Sequence, residues 1–320
     1  GFDTAINRAI ELLGISADEV PYRGFVPGYP IGLGVCSVRP IELAHAYACF
    51  ANGGKEVIPI AIRNVEDKNG NVFLNPEKDV RQRQQEKGSA SQIISPQTAY
   101  VMTKLLENTV KSGTLAAPTG NGSKFTYRDE KGRKYTIPAA GKTGTTQNWA
   151  DAWTACFTPY YTSIFWFGFD KPGQSLGLQL TGSTLAGYAM ASFMQKAHEG
   201  LPYKDFTKPS NGTAEISVCS VSGGLPTEDC PKITLTYLDG TQPTELCTIH
   251  SGSSVARLLG IQRLEQELYK AGFASDLIIK DSPLVPGLSG ELPQTVTSAQ
   301  EFLQEEDEFG NAPDYNFFLE

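Results

Sequence analysis

The chain has 320 residues, of which 40% are hydrophobic and 10% aromatic, and this composition is typical of one large or two modest globular domains. Its formal net charge of −8 argues against nucleic acid or an anionic membrane surface as the main partner. No apolar run reaches the roughly 18–20 residues of a membrane span, and the start, Gly1-Phe2-Asp3, has neither a Met nor a signal segment. We therefore expect a piece of a longer polypeptide.

The first part of the chain predicts two helices. Asp3 is expected to cap the first helix, whose apolar residues recur at helical spacing until Gly14. The second helix is predicted over residues 41–50, with Pro40 in its first turn. His45 lies on this second helix, and we interpret it as a packed, hydrogen-bonded histidine rather than a catalytic one.

One hairpin, one further helix and two surface loops are expected next. The hairpin joins residues 60–65 to residues 71–74 through an Asn-Gly turn. Apolar periodicity predicts a helix over residues 96–110, which a Ser-Pro pair opens. We interpret the polar stretches 75–94 and 115–133 as exposed loops.

Three strand-like segments follow with no room for helices between them: 134–145, 152–157 and 162–169. Their aromatic and β-branched content predicts an antiparallel meander. A helix over residues 184–198 is expected to help cover this sheet. The sequence therefore predicts an α/β fold of the α+β type, in which helices flank an antiparallel sheet.

The chain is predicted to have three parts. A Lys/Pro linker separates the first domain, residues 1–206, from a cysteine-containing extension, residues 207–252. Residues 253–320 are expected to form a helix followed by an acidic tail. Because no Lys or Arg follows Lys280, we predict that this tail is solvated and disordered.

The six cysteines fall into two groups. Three sit in apolar contexts that are typical of buried thiols: Cys36, Cys49 and Cys156. Three others precede His250 in a stretch rich in Gly, Pro and Thr: Cys219, Cys230 and Cys247. Their loose spacing lacks a C-x-x-C pair, so we favour a loop-closing disulfide or simple thiols over zinc. No metal and no cofactor is predicted.

The run Gly141–Thr146 is the most informative motif. Lys142 supplies a mobile positive charge that can also shuttle a proton, and the neighbouring threonines supply hydroxyl donors. Glycine lets a ligand approach the backbone closely. These residue types are suited to holding a carboxylate-bearing substrate against a strand. The candidate site residues are Lys142 as the catalytic group and Thr143, Gly144, Thr145 and, as a weaker candidate, Thr146 as substrate-binding groups.

A nucleotide-binding loop is a competing interpretation of the same residues. Gly141-Lys142-Thr143 matches the end of a Walker A motif, and residues 164–170 imitate a Walker B strand. However, the glycine required five positions earlier is Thr136 here, and a helix should begin at the lysine. We therefore disfavour a phosphate-binding loop.

Several short segments of the chain follow the order of a known family: 31–34, 41–48, 50–54, 110–114, 140–146, 151–153 and 166–168. In these segments the chain resembles the transpeptidase domain of class A penicillin-binding proteins. The cysteine-bearing stretch from Cys219 to His250 is similar to the short region that often follows this domain, so the resemblance covers about residues 1–250. The K-T-G triplet is one of the motifs that penicillin-binding proteins share with serine β-lactamases.

The resemblance implies a penicillin-binding, serine β-lactamase-like fold and a serine acyl-enzyme mechanism. In the family, the serine of an S-x-x-K motif attacks the D-Ala-D-Ala amide of a peptidoglycan stem peptide, and an amine of a second stem peptide then takes the acyl group. β-Lactam antibiotics acylate the same serine. Lys142 would then provide positive potential and proton relay, Thr143 and Thr145 would bind the substrate carboxylate, and the N–H of Thr145 would be half of the oxyanion hole. Asp151 and Trp153 are expected to have structural roles.

The chain departs from the family in lacking S-x-x-K anywhere and S-x-N near its start. We expect truncation after the second motif, and therefore an inactive fragment of an enzyme whose complete form also carries a glycosyltransferase domain. The complete protein is expected on the extracytoplasmic face of the bacterial membrane, which it would contact only through the missing N-terminal part. A serine β-lactamase, a D-Ala-D-Ala carboxypeptidase and a non-enzymatic interaction remnant remain alternatives.

Overall fold

The computed structural model describes residues 1–171 and 173–250. These residues belong to two units: Gly1–Ile216 together with Thr234–Gln242, and Ser217–Ile233 together with residues 243–250. The helix and acidic tail predicted over residues 253–320 lie outside the described residues. None of the helices in the described ranges has the length and apolar character that crossing a membrane requires.

Two helices open the first unit, as predicted. They are α1 (Phe2–Leu13) and α2 (Pro40–Ala51). Gly14 ends α1 with a φ of 67°, a left-handed conformation that glycine adopts without strain. The capping role expected for Asp3 is wrong, because α1 starts at Phe2 and Asp3 lies within its first turn. Its charge there still favours the positive end of the helix dipole.

Helix α1 packs on α2 through a small apolar cluster. Its buried members are Leu13, Ile15 and Ala46. His45 lies beside them, with its Nδ1 atom 2.7 Å from the carbonyl oxygen of Leu12. The expectation of a packed, hydrogen-bonded histidine is confirmed.

The predicted hairpin is present but shorter than expected. Strands β1 (Val65–Glu66) and β2 (Val72–Leu74) pair in the antiparallel sense. The carboxylate of Asp67 accepts hydrogen bonds from the backbone N–H groups of Asn69 and Asn71 and therefore fixes the turn.

The loop predicted over residues 75–94 is wrong, since most of it forms helix α3 (Pro76–Lys87). This helix has one buried residue, Val80, so it lacks the apolar periodicity that signals a helix. Instead, the side chain of Asn75 accepts from the N–H of Lys78 at 2.9 Å, and Arg81 forms an ion pair with Glu77 one turn before it.

Helix α4 (Pro96–Lys111) is confirmed, with Ser95 as its cap. The loop predicted over residues 115–133 is wrong. That stretch contains a short helix, α5 (Ala116–Thr119), and strand β3 (Thr126–Arg128). It also supplies buried side chains to the core: Leu115, Phe125 and Tyr127. These apolar residues are isolated in a polar sequence, so they produce no periodic pattern.

The predicted meander is confirmed from residue 140 onward. Strand β4 (Lys134–Thr136) pairs with β3 rather than with the meander, which begins after Pro138. Strands β5 (Ala140–Thr145), β6 (Ala152–Phe157) and β7 (Thr162–Phe167) form an antiparallel sheet in the order β5-β6-β7.

Helices cover both faces of this sheet, which confirms the predicted fold class. After a π-helical turn, Gly182–Gly187, helix α6 (Tyr188–His198) packs on one face, where Phe193 contacts Phe165 at a ring-centroid distance of 5.7 Å. On the other face, Tyr47 of α2 contacts Phe157 at 6.0 Å. The main core lies on the α6 side: Val110, Leu115, Phe125, Tyr127, Ile137, Ala139, Cys156, Met190, Ala191 and Met194. Strands β8 (Thr213–Cys219) and β9 (Lys232–Leu238) form a separate two-stranded sheet.

His198 at the end of α6 is expected to make the stability of the fold depend on pH. Its side chain is buried; Nδ1 lies 2.7 Å from the carbonyl oxygen of Met194, and Nε2 lies 3.0 Å from the hydroxyl of Thr158. Burial lowers the pKa of His198 below its ordinary value of 6.5. The unfolded chain therefore binds this proton more readily, and stability is expected to fall as the pH drops below about 6.5.

Urea unfolding of the wild type and of His198→Gln between about pH 7.5 and pH 5 measures this effect. We expect the wild type to lose more stability on acidification than the glutamine variant, which cannot gain the proton. If the free energy of unfolding changed equally with pH in the two proteins, this would contradict a buried neutral imidazole at this position.

Candidate functional site

Strand β5 carries the predicted site and lies at one edge of the three-stranded sheet. Its first residues, Ala140 and Gly141, are buried, and the hydroxyl of Thr109 in α4 donates to the carbonyl oxygen of Gly141 at 2.7 Å. A Cβ atom on Gly141 would meet the carbonyl oxygen of Ala155 and, at 3.0 Å, the side chain of Leu115. Helix α4 and the side chain of Leu115 therefore lie close to the start of this strand.

The five predicted site residues are contiguous. Four of them, Lys142 to Thr145, lie in β5, and Thr146 follows directly. Lys142 is exposed, and its Nζ atom donates to the carbonyl oxygen of Thr143 at 2.8 Å. Lys142 takes part in none of the ion pairs found in residues 1–171 and 173–250, so its charge remains available to a ligand. Because Lys142 lies within a strand and no helix begins there, the Walker A interpretation is wrong.

The pleat determines which backbone groups face the open edge. The carbonyl oxygens of Gly141 and Thr143 accept hydrogen bonds from side chains outside the ladder with β6. In an antiparallel pair, the N–H and C=O groups of alternate residues point to the same side. Thr145 alternates with Gly141 and Thr143 along β5, so its N–H also faces away from β6.

Two hydroxyl residues beside β5 were not identified as site residues from the sequence. Thr143 donates its hydroxyl to the hydroxyl of Thr114 at 2.7 Å, and the hydroxyl of Ser183 donates to the carbonyl oxygen of Thr114. Three chain segments thus contribute hydroxyl residues around Thr114 and Thr143, the second of which directly follows Lys142 in the sequence. Only the Ser-Gly-Thr run that ends at Thr114, part of the family resemblance, pointed to any of them.

Gly182, at the start of the π-helical turn, is a second residue that the sequence did not indicate. A Cβ atom there would meet the carbonyl oxygen of Trp153 and, at 2.6 Å, that of Gly144. The N–H of Gly182 donates to the hydroxyl of Thr145 at 3.1 Å. Its carbonyl oxygen accepts from the buried hydroxyl of Thr154 at 2.6 Å. The turn is therefore held against the middle of the sheet by two hydrogen bonds and by a close backbone contact that leaves no room for a side chain at Gly182.

The turn after β5 is fixed by a carboxylate. Asp151 accepts from the hydroxyl of Thr146 at 2.9 Å and from the indole N–H of Trp166 at 2.9 Å. Its own N–H donates back to the hydroxyl of Thr146 at 2.8 Å. The rings of Trp153 and Trp166 are 5.9 Å apart. These contacts agree with the structural roles expected for Asp151 and Trp153.

The two buried cysteines of the first unit do not offer an alternative nucleophile. Cys49 and Cys156 are buried as predicted, whereas Cys36 is only half-buried. Burial raises the pKa of Cys156 to about 12 and is the main cause that raises the pKa of Cys49 to about 11. Both thiols therefore stay protonated near neutral pH and are unreactive.

Residues 11–171 match the family described as penicillin binding protein transpeptidase domain. This segment is half of the chain. The chain belongs to this family. Residues 209–252 match a second family, described as penicillin-binding protein 1A, C-terminal domain. The resemblance inferred from the motifs is confirmed.

Curated relatives with the same family name agree. Penicillin-binding protein 1A of Clostridium tetani is 33% identical over 224 residues, which cover 68% of this chain and 25% of that protein. Penicillin-binding protein 1A of Clostridium novyi is 34% identical over 269 residues, 81% of this chain and 28% of that protein. The chain therefore spans about a quarter of the length of these relatives.

A solved structure supports the fold. The crystal structure of penicillin-binding protein 1A from Haemophilus influenzae matches with a TM-score of 0.57 at 22% identity, covering 77% of this chain and 38% of that chain. The likeness shows that the arrangement of helices and sheet is that of this family.

The contact at Gly182 gives a test of how the site is assembled. Replacing Gly182 with alanine places a methyl group against two backbone oxygens that cannot move without breaking the sheet. We expect a loss of about 1–3 kcal/mol in the free energy of unfolding, measured by urea denaturation. Gly32→Ala is the matched control, because nothing lies within 4 Å of its added Cβ, and it should change stability by less than about 0.5 kcal/mol. Equal effects of the two substitutions would contradict the close contact.

Proposed function

We propose that this chain forms the substrate-holding part of a D-Ala-D-Ala transpeptidase that cross-links peptidoglycan stem peptides. The observation that carries the proposal is the open edge of β5, which presents Lys142 and two threonines within a segment that belongs to the penicillin-binding transpeptidase family. An exposed strand edge binds an extended peptide by adding it as a further strand.

The hydrogen bonds around β5 suggest how a substrate carboxylate would be bound. The hydroxyl of Thr145 accepts from the N–H of Gly182, so its own hydrogen is free to donate to an anion. Thr143 now donates to Thr114 and would redirect that hydrogen to the ligand. The ammonium group of Lys142 adds a positive charge on the same strand. Together these groups supply the positive charge and the hydroxyl donors that a C-terminal carboxylate binds.

The proposed chemistry is acyl transfer. A serine attacks the carbonyl carbon between the two D-alanines, the C–N bond breaks, and the terminal D-alanine leaves with a proton. The amine of a second stem peptide then attacks the resulting ester, forms the cross-link and returns the proton to the serine. The N–H of Thr145 faces the strand edge, where it can stabilise the oxyanion of both tetrahedral intermediates. Lys142 relays protons to and from the serine side.

The parent protein is expected to supply what these 320 residues do not contain. We expect it to carry the S-x-x-K serine, the S-x-N motif, an N-terminal glycosyltransferase domain and a membrane anchor, and to act on the extracytoplasmic face of the membrane. β-Lactams would acylate its serine. Within it, residues 1–206 would be the C-terminal part of the transpeptidase domain and residues 207–252 a separate extension.

The absence of S-x-x-K favours one second candidate, a non-enzymatic interaction remnant. A serine β-lactamase or a D-Ala-D-Ala carboxypeptidase would use the same strand with water as acceptor. Reading the encoding DNA upstream of Gly1 distinguishes the interaction remnant from an enzyme, because an in-frame S-x-x-K motif is expected only for an enzyme. Product analysis with a stem-peptide amine then separates transfer from hydrolysis.

The isolated chain should not react with penicillin. Without the serine, the lysine and threonines can position a β-lactam but cannot attack it. Incubation with fluorescent penicillin, followed by boiling and gel electrophoresis, should give no labelled band, whereas the parent protein should be labelled. A stoichiometric, boiling-resistant label on residues 1–320 would overturn this assignment of the nucleophile.

In the parent protein, Lys142→Ala is expected to lower the rate of acylation by fluorescent penicillin by about 10²–10³-fold, the range for loss of one group that stabilises a transition state. The matched control is Lys134→Ala, which removes an exposed lysine from β4 outside the motif. A wild-type rate for Lys142→Ala, or an equal loss for Lys134→Ala, would refute the role of Lys142.

A further inference from the structure

Four potential metal ligands come together in the second unit. They are Cys219, Cys230, Cys247 and His250, and their donor atoms all lie within 4.8 Å of one another. The three cysteine side chains are buried. The proposed transpeptidase function uses none of these residues.

The two distances from the imidazole of His250 fit a single tetrahedral ion. The Nδ1 atom of His250 lies 3.3 Å from the sulfur of Cys219 and 3.4 Å from that of Cys247. Zinc bonds of about 2.3 Å to sulfur and 2.0–2.1 Å to nitrogen at tetrahedral angles would put such atoms roughly 3.5 Å apart. Both observed distances are close to that value.

Backbone hydrogen bonds bring the ligands from three chain segments. Cys219 ends strand β8, Cys230 shortly precedes β9, and Cys247 lies on the segment that follows the hairpin. This last segment is attached to the hairpin at Leu225 by two backbone hydrogen bonds. The N–H of Leu225 donates to the carbonyl oxygen of Glu245 at 2.8 Å, and the carbonyl oxygen of Leu225 accepts from the N–H of Cys247 at 2.7 Å.

The sulfurs also receive hydrogen bonds of the kind that surround metal-bound thiolates. The N–H of Ser222 donates to the sulfur of Cys219 at 3.4 Å, and the N–H of Thr227 donates to that of Cys230 at 3.2 Å. The hydroxyl of Thr227 donates to the carbonyl oxygen of His250 at 3.1 Å, which positions the fourth ligand.

A disulfide accounts for this cluster less well than a metal does. One disulfide would use two sulfurs and leave a third buried thiol and an imidazole directed at it. Among residues 217–233 and 243–250, the buried apolar cluster consists of the same three cysteines, with Ile249 packed against them. A segment whose described part has so little apolar core gains stability from a covalent or metal crosslink.

We propose that Cys219, Cys230, Cys247 and His250 form a structural Cys₃His zinc site. Four protein ligands fill the tetrahedron, and this closed coordination is typical of structural rather than catalytic zinc. The sequence disfavoured zinc because the cysteines are not closely spaced. The β8–β9 hairpin removes that objection, because it brings Cys219, at the end of β8, close to Cys230, just before β9.

Metal analysis of the 320-residue chain, purified under reducing conditions without chelators, tests the site. We expect about one zinc ion per chain. Cys247→Ser and His250→Ala should lower the zinc content at least tenfold after dialysis against a weak chelator. Cys36→Ser, which removes a thiol outside the cluster, should keep the full amount.

Two measurements on the wild type make the test independent of how well the variants fold. Titration with a mercurial thiol reagent should release the zinc as the cluster thiols react. Replacing zinc with Co²⁺ should give the strong near-ultraviolet thiolate-to-cobalt absorption and the visible bands of a tetrahedral centre. Wild-type protein with reduced thiols and no zinc above the Cys247→Ser level, a disulfide within the cluster found by mass spectrometry, or octahedral cobalt bands would each overturn the proposal.

Discussion

The close approach of backbone to backbone at strand β5 is the constraint on which the first unit depends. A Cβ atom on Gly141 would meet the carbonyl oxygen of Ala155 in β6, and Gly182 lets the π-helical turn rest on Gly144 and Trp153. The carbonyl oxygen of Gly141 also accepts from the hydroxyl of Thr109 in α4. A side chain at Gly141 would disturb the ladder with β6, and one at Gly182 would push the turn away from the sheet. Since α4 and the turn before α6 both abut the strand that carries Lys142, the packing that stabilises the core also fixes the position of the candidate site.

In the proposed function, the same strand has to be held firmly and yet leave groups free for a ligand. The alternation of backbone groups along the strand separates support from ligand binding. The ladder with β6 uses one set of backbone groups, and the alternate set, which includes the N–H of Thr145, faces the open edge. The hydroxyl groups are divided in a similar way: Thr154 is buried and supports Gly182, whereas Thr145 accepts from Gly182 and keeps its own hydrogen. A site built on a strand with these supports is more precisely placed than one on a loop.

The sequence predicted those helices whose stability comes from a periodic apolar face, and α1, α4 and α6 were found for this reason. Strands β5 to β7 were found from the aromatic and β-branched content of their segments. Helix α3 was missed because a cap and ion pairs stabilise it, and the core residues Leu115 and Phe125 were missed because each stands alone in a polar segment. Similarly, the motif identified Lys142 to Thr145, but no local pattern could show that Gly182, nearly forty residues later, supports Gly144. Such contacts follow from tertiary packing, which spacing along the chain does not encode.

Different interactions stabilise the interior of each unit. The first buries phenylalanine, leucine and methionine side chains in a continuous core, whereas the buried cluster of the second is made of sulfur atoms beside an imidazole. A zinc ion there would bind the folded unit far more tightly than the unfolded chain, in which the four ligands are not assembled, and its binding energy would become folding energy. It would also explain why three thiols can remain close together without pairing. With zinc bound, all three sulfurs are ligands, and a disulfide could form only after the metal has left. The unit's stability would then depend on the supply of metal as well as on the redox state of its surroundings.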